Sequence, residues 1–185
     1  MPTLELIIGP MFAGKSCELI RRIRILKVLN KKYIVVTPSI DNRYDNNMIV
    51  SHNFDKEPCI KLNNLQDIYS HDLNIDTIFI DEGQFFTDLI IVKNLVEIHN
   101  INVIVCGLVG DYNRNKFGQI VDLIPLCDNI ITLKAMCLLC MDGTHGIFSH
   151  RKHKSAQQVL IGEKDSYISL CRKHYLELTN STDFT

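Results

Sequence analysis

The sequence predicts an α/β fold in which helices cover both faces of a parallel β-sheet. Apolar runs rich in valine and isoleucine alternate with amphipathic segments over residues 1–134, a pattern typical of buried parallel strands joined by helices. The pattern changes near Ala135, where glycine, histidine, cysteine and polar residues replace the alternation. We therefore expect a main domain at residues 1–134, a small subdomain at residues 135–176 and a mobile polar tail at residues 177–185.

The first predicted strand, Leu4–Ile8, leads into a glycine-containing loop and then into an amphipathic helix that begins at Cys17. The loop has the phosphate-binding sequence G-x-x-x-x-G-K-S in the strand, loop, helix order that this motif requires, which argues against a chance match. We expect its backbone N–H groups and the helix N-terminus to bind phosphate. Lys15 is expected to reach the β- and γ-phosphates, and Ser16 to bind the Mg²⁺ of ATP. The predicted phosphate-binding residues of the loop are Gly9, Pro10, Met11, Phe12, Ala13, Gly14, Lys15 and Ser16.

The remaining elements continue the alternation of strands and helices. Further strands are predicted at residues 33–37, 75–80, 101–108 and 129–133, with a helix at residues 89–99 and a polar loop at residues 41–47. The first helix carries four basic residues opposite its apolar side, and we expect them to be simply solvated. They are Arg21, Arg22, Arg24 and Lys27.

The composition of the chain limits the classes of partner that the protein is expected to bind. The chain has 185 residues, 22% of them charged, and a net charge of −1, so no overall field draws it to nucleic acid or to a membrane surface. Its apolar stretches are too short to span a bilayer, and no signal peptide is recognisable near Met1. We therefore expect a cytoplasmic protein whose seven cysteines do not form a disulfide framework.

Two acids, Asp81 and Glu82, follow the strand predicted at residues 75–80. The carboxyl ends of strands are where open α/β sheets bind ligands, so both acids are expected beside the phosphate loop. Asp81 suits the Mg²⁺ shell. Because neighbours on an extended chain point to opposite faces, Glu82 is then available as the base for an attacking hydroxyl. A helix cap or a solvated strand end is the alternative, which the nearby phosphate loop disfavours.

Two short motifs near the C-terminus have the spacing of a structural zinc site. Cys137 and Cys140 form a C-x₂-C pair, and Cys171 and His174 form a C-x₂-H pair thirty residues further on. Together they predict a closed tetrahedral Cys₃His site that pins the intervening residues as one long loop. The other cysteines, Cys17, Cys59, Cys106 and Cys127, lie in or beside apolar stretches and are predicted to be small core residues. Three histidines of the loop, His145, His150 and His153, are considered as alternative ligands, but they lack the paired spacing and are expected at most to contact solvent or phosphate.

Taken together, these motifs closely resemble the thymidine kinases of the animal cytosol, of many bacteria and of large DNA viruses. The resemblance covers nearly the whole chain, and the sequences Pro-Met-Phe in the phosphate loop and Asp-Glu-Gly-Gln-Phe-Phe are specific to that family. It is carried by Gly9 to Ser16, Asp41 to Tyr44, Asp81 to Phe86, Lys116 to Gly118, Cys137 to Cys140, Val159 to Gly162, Tyr167 and Cys171 to His174.

The resemblance implies a fold of the phosphate-loop NTPase type with a zinc-pinned lasso. It also implies transfer of the γ-phosphoryl group of ATP to the 5′-hydroxyl of thymidine, with deoxyuridine as a weaker substrate, by a homotetramer. On the family pattern Glu82 is the catalytic base and Asp81 the Mg²⁺-associated acid, while Asp41, Arg43, Gly83 and Gln84 complete the ATP site. The base-binding strand would be Gln158, Val159, Leu160, Ile161 and Gly162. Phe85, Tyr112 and Phe117 would pack around base and sugar, and Met11, Leu108 and Tyr167 would line the slot for the 5-methyl group.

The chain departs from the family pattern at a few positions. His174 replaces the fourth cysteine of animal members, as in bacterial relatives, and leaves the zinc site intact. Glu163 stands where a second glycine often follows Gly162, and Val109 replaces a frequent acid. The spacing between the zinc pairs is slightly longer than in animal members, and Ser149 is the candidate for a base-contacting hydroxyl.

Two other functions are compatible with the same motifs. A broader deoxynucleoside kinase, or another small-molecule kinase, would use the same phosphate machinery. A nucleotide-switched module whose zinc segment binds nucleic acid would instead show a basic surface and salt-sensitive DNA binding, which the near-neutral charge disfavours.

Overall fold

The computed structural model describes residues 1–41, 47–50, 55–152 and 166–181. Its larger part contains, in chain order, β1 (Leu4–Ile8), α1 (Lys15–Val28), β2 (Tyr33–Pro38), β3 (Met48–Val50), β4 (Lys56–Pro58), β5 (Ile60–Leu62), β6 (Thr77–Ile80), α2 (Val92–Glu97), β7 (Asn102–Gly107) and β8 (Asn129–Thr132). Short 3₁₀ helices lie at Leu65–Ser70, Gly83–Phe85, Leu89–Ile91 and Ile120–Leu126. The smaller part contains β9 (Ala135–Met136), β10 (His145–Gly146), β11 (Phe148–Arg151), β12 (Tyr167–Leu170) and α3 (Arg172–Ser181).

Six of the described strands form one parallel sheet in the order β5-β2-β6-β7-β1-β8. This confirms the predicted α/β class. The register pairs Ile8 of β1 with Gly107 of β7, and Ile80 of β6 with Val105 of β7. The loops that follow β1, β6 and β7 therefore leave the sheet at the same edge, which is where a ligand site is expected.

Side chains alternate between two separate hydrophobic cores, one on each face of the sheet. Leu6, Ile78 and Val103 pack on the face covered by α2 and the 3₁₀ helices. Their sequence neighbours Ile7, Phe79 and Ile104 pack on the opposite face against α1. Since neighbouring residues of a strand point to opposite faces, continuous apolar strands indicate a sheet buried on both sides. Full burial of each such side chain contributes about 1.5–3 kcal/mol.

The predicted helix at residues 89–99 is shorter and less regular than expected. A 3₁₀ turn at Leu89–Ile91 precedes α2, which ends at Glu97. Asp88 does not cap the helix, because its carboxylate accepts hydrogen bonds from the backbone N–H groups of Leu65 and Gln66. The buried residues Leu89, Val92 and Leu95 recur every three residues, a spacing that suits a 3₁₀ start.

The basic side of α1 faces solvent as predicted, since Arg21, Arg24 and Lys27 are exposed, but its side chains also form ion pairs. Arg22 pairs with both Glu18 and Glu5, and Arg24 pairs with Asp55. Lys27 forms an ion pair with Glu57, whose carboxylate also accepts a hydrogen bond from the Tyr33 hydroxyl. These pairs tie α1 to β1 and to the β3–β4 hairpin, an element that the sequence analysis missed.

The smaller part has a core of its own. β9 pairs with β10 and β11 pairs with β12, both antiparallel, and Ile168, Leu170 and Tyr175 are buried together with Cys137. Helix α3 continues to Ser181, so residues 177–181 of the segment treated above as a tail are helical. Among the residues that the structure describes, no helix has the length and apolar character needed to cross a membrane.

Candidate active site

The phosphate loop connects β1 to α1 with a backbone that only certain residues tolerate. Gly14 has φ +83° and directly precedes α1, a left-handed conformation that favours glycine. At Gly9 a Cβ atom would lie 2.5 Å from the carbonyl oxygen of Leu133, so no larger residue fits. Lys15 is buried, and its Nζ donates to the carbonyl of Pro10 at 2.9 Å. The loop therefore has the tight form that the motif predicts.

The two predicted Mg²⁺ ligands are in direct contact. The Ser16 hydroxyl donates to Oδ2 of Asp81 at 3.0 Å, and Oδ1 of Asp81 accepts from the N–H of Glu82 at 3.1 Å. Both oxygens belong to hard ligands of the kind Mg²⁺ prefers. The donor set at the ends of β1 and β6 therefore fits a Mg²⁺ ion that accompanies nucleotide phosphates.

Glu82 is held in position by Gln84. Its φ of +52° is left-handed and unusual for a residue other than glycine, so the chain is not extended here and the alternation argument does not apply. The Gln84 amide donates from Nε2 to Oε2 of Glu82 at 2.5 Å. The same amide accepts from the N–H of Leu108 through Oε1 at 3.0 Å. Gln84 thus links the acid after β6 to the chain after β7.

Two glycines make room for Gln84. A Cβ atom on Gly118, whose φ is +58°, would lie 2.1 Å from the carbonyl oxygen of Gln84. A Cβ atom on Gly107 would lie 2.7 Å from Oε1 of Gln84. Part of the Lys116 to Gly118 motif therefore has a packing role next to the site.

The aromatic residues assigned by resemblance form two groups. Phe85 and Phe117 meet edge to face, with ring centroids 5.4 Å apart. Tyr112 and Tyr167 both contact the guanidinium of Arg151, which lies 3.8 Å above the Tyr112 ring. Arg151 was not among the predicted site residues, because nothing local in the sequence distinguishes it from a surface arginine.

The lasso also touches the phosphate loop. The backbone N–H of Met11 donates to the Ser149 hydroxyl at 2.9 Å, so β11 reaches the glycine-containing loop after β1. This contact gives Ser149 a structural partner that sequence reasoning did not identify. Val109 packs against the main core, and its carbonyl accepts from the N–H of Phe117.

Some predicted site residues fall outside the described part of the chain. They are Arg43, His153, Gln158, Val159, Leu160, Ile161, Gly162 and Glu163. Asp41 closes the first described range, and its carbonyl accepts from Nζ of Lys61 at 3.0 Å.

Cys137, Cys140, Cys171 and His174 converge at the base of the lasso, with all ligand atoms within 4.8 Å of one another. Nδ1 of His174 lies 3.3–3.5 Å from each sulfur, and the sulfurs of Cys140 and Cys171 are 3.8 Å apart. Tetrahedral zinc, with bonds of about 2.3 Å to sulfur and about 2.0–2.1 Å to nitrogen, needs edges of about 3.8 Å and 3.5 Å. The donor set therefore fits a zinc ion.

The thiols of this cluster differ in acidity. Burial opposes ionisation of Cys137, but hydrogen bonds from the backbone of Cys171 and from His174 lower its pKa to about 6. Burial and the neighbouring Cys137 and Cys171 sulfurs raise the pKa of Cys140 to about 11. A bound dication would favour the thiolate form of all three cysteines.

The remaining cysteines and histidines differ in how deeply their side chains are buried. Cys59 and Cys106 are core residues as predicted, and burial raises the pKa of both thiols. Cys17 and Cys127 are only partly buried, and Cys127 packs against the main core. His145 is exposed, and His150 packs against Tyr175, where burial lowers its pKa.

Comparison with known proteins gives consistent matches along the chain. The thymidine kinase family model matches residues 2–175. A thymidine kinase of Oryza sativa subsp. japonica is 39% identical over 181 residues, which cover 94% of this chain and 66% of the rice protein. The thymidine kinase of Yaba monkey tumor virus is 37% identical over 177 residues, which cover 96% of each chain. That of Bacteroides thetaiotaomicron is 37% identical over 174 residues, which cover 94% of this chain and 86% of its own.

Proposed function

The chain belongs to the thymidine kinase family, and from this premise we propose that it transfers the γ-phosphoryl group of ATP to the 5′-hydroxyl of thymidine. The product is thymidine monophosphate, a salvage precursor of DNA. The observation that carries the proposal beyond family membership is the contact between Ser16, Asp81, Glu82 and Gln84 beside the phosphate loop. This geometry supports the proposal, because the glycine-containing loop and the oriented carboxylate lie at one edge of the sheet.

The phosphates of ATP are bound by the loop from Gly9 to Ser16. Its backbone N–H groups and the N-terminus of α1 stabilise negative charge, and Lys15 contacts the β- and γ-phosphates. Ser16 and Asp81 would hold the Mg²⁺ that accompanies ATP, and this ion would supply positive charge that offsets the charge on the transferred group. Asp41, Arg43 and Gly83 complete this side of the site. Arg43 is suited to offset the charge that develops on the γ-phosphoryl group.

Glu82 accepts the proton of the 5′-hydroxyl as it attacks. An ionised carboxylate has about four lone-pair positions, so the bond from Gln84 uses only part of its acceptor capacity. Gln84 instead fixes where the carboxylate points, and orientation of this kind is a main source of rate in phosphoryl transfer. The protein forms no covalent intermediate in this in-line displacement.

Thymidine lies between the main domain and the lasso. Phe85, Phe117 and Tyr112 pack around the base and sugar, and Met11, Leu108 and Tyr167 line the slot for the 5-methyl group. Backbone groups of the strand from Gln158 to Gly162 read the base edge. Because a hydrophobic slot gains only about 1–3 kcal/mol from one methyl group, deoxyuridine is the weaker second substrate.

Cys137, Cys140, Cys171 and His174 would hold a zinc ion with a structural role. Because four protein ligands make a closed site, the ion would stabilise the base of the lasso rather than act on substrate. We further assign a cytoplasmic location and a homotetramer, with ATP and thymidine as the small-molecule partners and no nucleic-acid or membrane partner.

The proposal is tested by measuring ADP formation by the zinc-loaded protein with thymidine, deoxyuridine, deoxycytidine and deoxyadenosine offered separately. Thymidine should support the fastest turnover, deoxyuridine a slower one, and the other two none. Equal use of all four would favour the broader deoxynucleoside kinase. ADP formation independent of any nucleoside, together with salt-sensitive DNA binding, would favour the nucleotide-switched module.

A further inference from the structure

Arg151 is a buried arginine with an unusual set of contacts. Only 5% of it is exposed to solvent, and it lies directly opposite Tyr167 in the β11–β12 pair. Two of its nitrogens, Nε and Nη2, donate to the Tyr167 hydroxyl at 3.1 and 2.7 Å. The Tyr167 side chain is therefore held at its hydroxyl group, while strand pairing holds its backbone.

The same guanidinium contacts a second tyrosine from another segment. Its central carbon lies 3.8 Å from the centroid of the Tyr112 ring, which is within cation–π distance. Tyr112 follows β7, and its carbonyl accepts from the Tyr175 hydroxyl at 2.7 Å. Tyr175 in turn follows the zinc ligand His174. Arg151 therefore connects β11, β12 and the chain after β7.

The chemistry of arginine explains why this residue type stands here. A guanidinium is planar, so it can stack on one ring while its edge donates two hydrogen bonds to a neighbouring oxygen. A lysine ammonium is a flexible point charge and cannot fix both rings at once. Burial of the charge is costly unless polar or aromatic partners are present, and both tyrosines are among the partners of Arg151.

We propose that Arg151 is a positioning residue for nucleoside specificity, which holds Tyr167 in the slot for the 5-methyl group and Tyr112 beside the base and sugar. This inference rests on the proposed function, in which these tyrosines contact thymidine. A methyl group adds binding energy only where the slot fits it closely, because a gap forfeits dispersion contacts. A loosened Tyr167 therefore lowers the affinity for thymidine more than that for deoxyuridine.

The test uses the full-length protein and the variants Arg151→Lys, Tyr167→Phe and the double variant. Full discrimination by one methyl group is about 10–200-fold, so each single variant should lower the ratio of kcat/KM for thymidine to that for deoxyuridine by roughly threefold or more. The loss should lie in KM for thymidine, with KM for ATP and bound zinc unchanged. Because Arg151 acts through Tyr167, the double variant should lose no more than the larger single loss.

Arg114→Lys is the matched control. Arg114 stacks over Tyr175 at 4.7 Å in the same region, and no role in nucleoside binding is assigned to it, so the ratio should stay at the wild-type value. An unchanged ratio in Tyr167→Phe, or strictly multiplicative losses in the double variant, would overturn the inference. Wild-type protein that phosphorylates neither nucleoside would instead refute the proposed function, so the two failures are distinguishable.

Discussion

Gln84→Met removes the amide that joins Glu82 to Leu108 while keeping the length of the side chain. Two hydrogen bonds are lost, one of them to a carboxylate. The bond to a charged group contributes about 1.5–3 kcal/mol, and a buried N–H left without a partner costs about 1–3 kcal/mol. The sum, roughly 2.5–6 kcal/mol, lowers Tm by about 5–25 °C in a protein of this size.

The loss of turnover in this variant should be larger than the loss that partial unfolding alone would cause. A displacement of about 1 Å at a reacting group can cost on the order of 10²-fold in rate. When kcat for thymidine is measured at a temperature below the Tm, it should therefore be about 10- to 100-fold lower than in wild type. KM for ATP should change less than kcat, because the loop from Gly9 to Ser16 is untouched. Gln66→Met is the matched control, since the Gln66 side chain is exposed, and it should leave both kcat and Tm at wild-type values. Wild-type kcat in Gln84→Met would refute the claim that Gln84 orients Glu82.

Further changes test the supporting parts of the structure. Cys171→Ser should release zinc and weaken thymidine binding, as measured by metal analysis and KM; retained zinc with unchanged KM would contradict a structural site. The Arg21 hydrogen bond, with help from Arg22 and against a burial penalty, lowers the pKa of Glu18 to about 2. Its stabilising effect is complete above the unfolded pKa of about 4.5 and disappears as pH falls towards 2. The Tm advantage of wild type over Glu18→Gln should therefore shrink over that range, and a constant advantage would be inconsistent with this cause.

The parts of the fold that the sequence predicts are those with a local signal. Continuous apolar strands such as β1 and β7 are recognisable because burial on both faces needs apolar residues throughout. The β3–β4 hairpin was missed because its strands have three residues each and include lysine, glutamate and proline. Its one buried acid, Glu57, is compensated by Lys27 and Tyr33, which lie far away in sequence.

The candidate site also combines features that have a local sequence signal with features that have none. The phosphate loop and the zinc pairs are predictable because short-range spacing dictates their chemistry. The hydrogen bond between Gln84 and Glu82 depends on the left-handed turn at Glu82, which spacing does not reveal. Arg151 depends on strand pairing with Tyr167 and on a contact with Tyr112, and no local pattern predicts either.

The most direct test of the central claim is the turnover of Glu82→Gln with saturating ATP and thymidine. The amide keeps the shape of the side chain but cannot accept the proton of the 5′-hydroxyl, so turnover should fall roughly 10²-fold or more while the affinity for ATP stays unchanged. Glu97→Gln, an exposed change at the end of α2, is the matched control. Wild-type turnover in Glu82→Gln would contradict the account, because Glu82 would then not be the base.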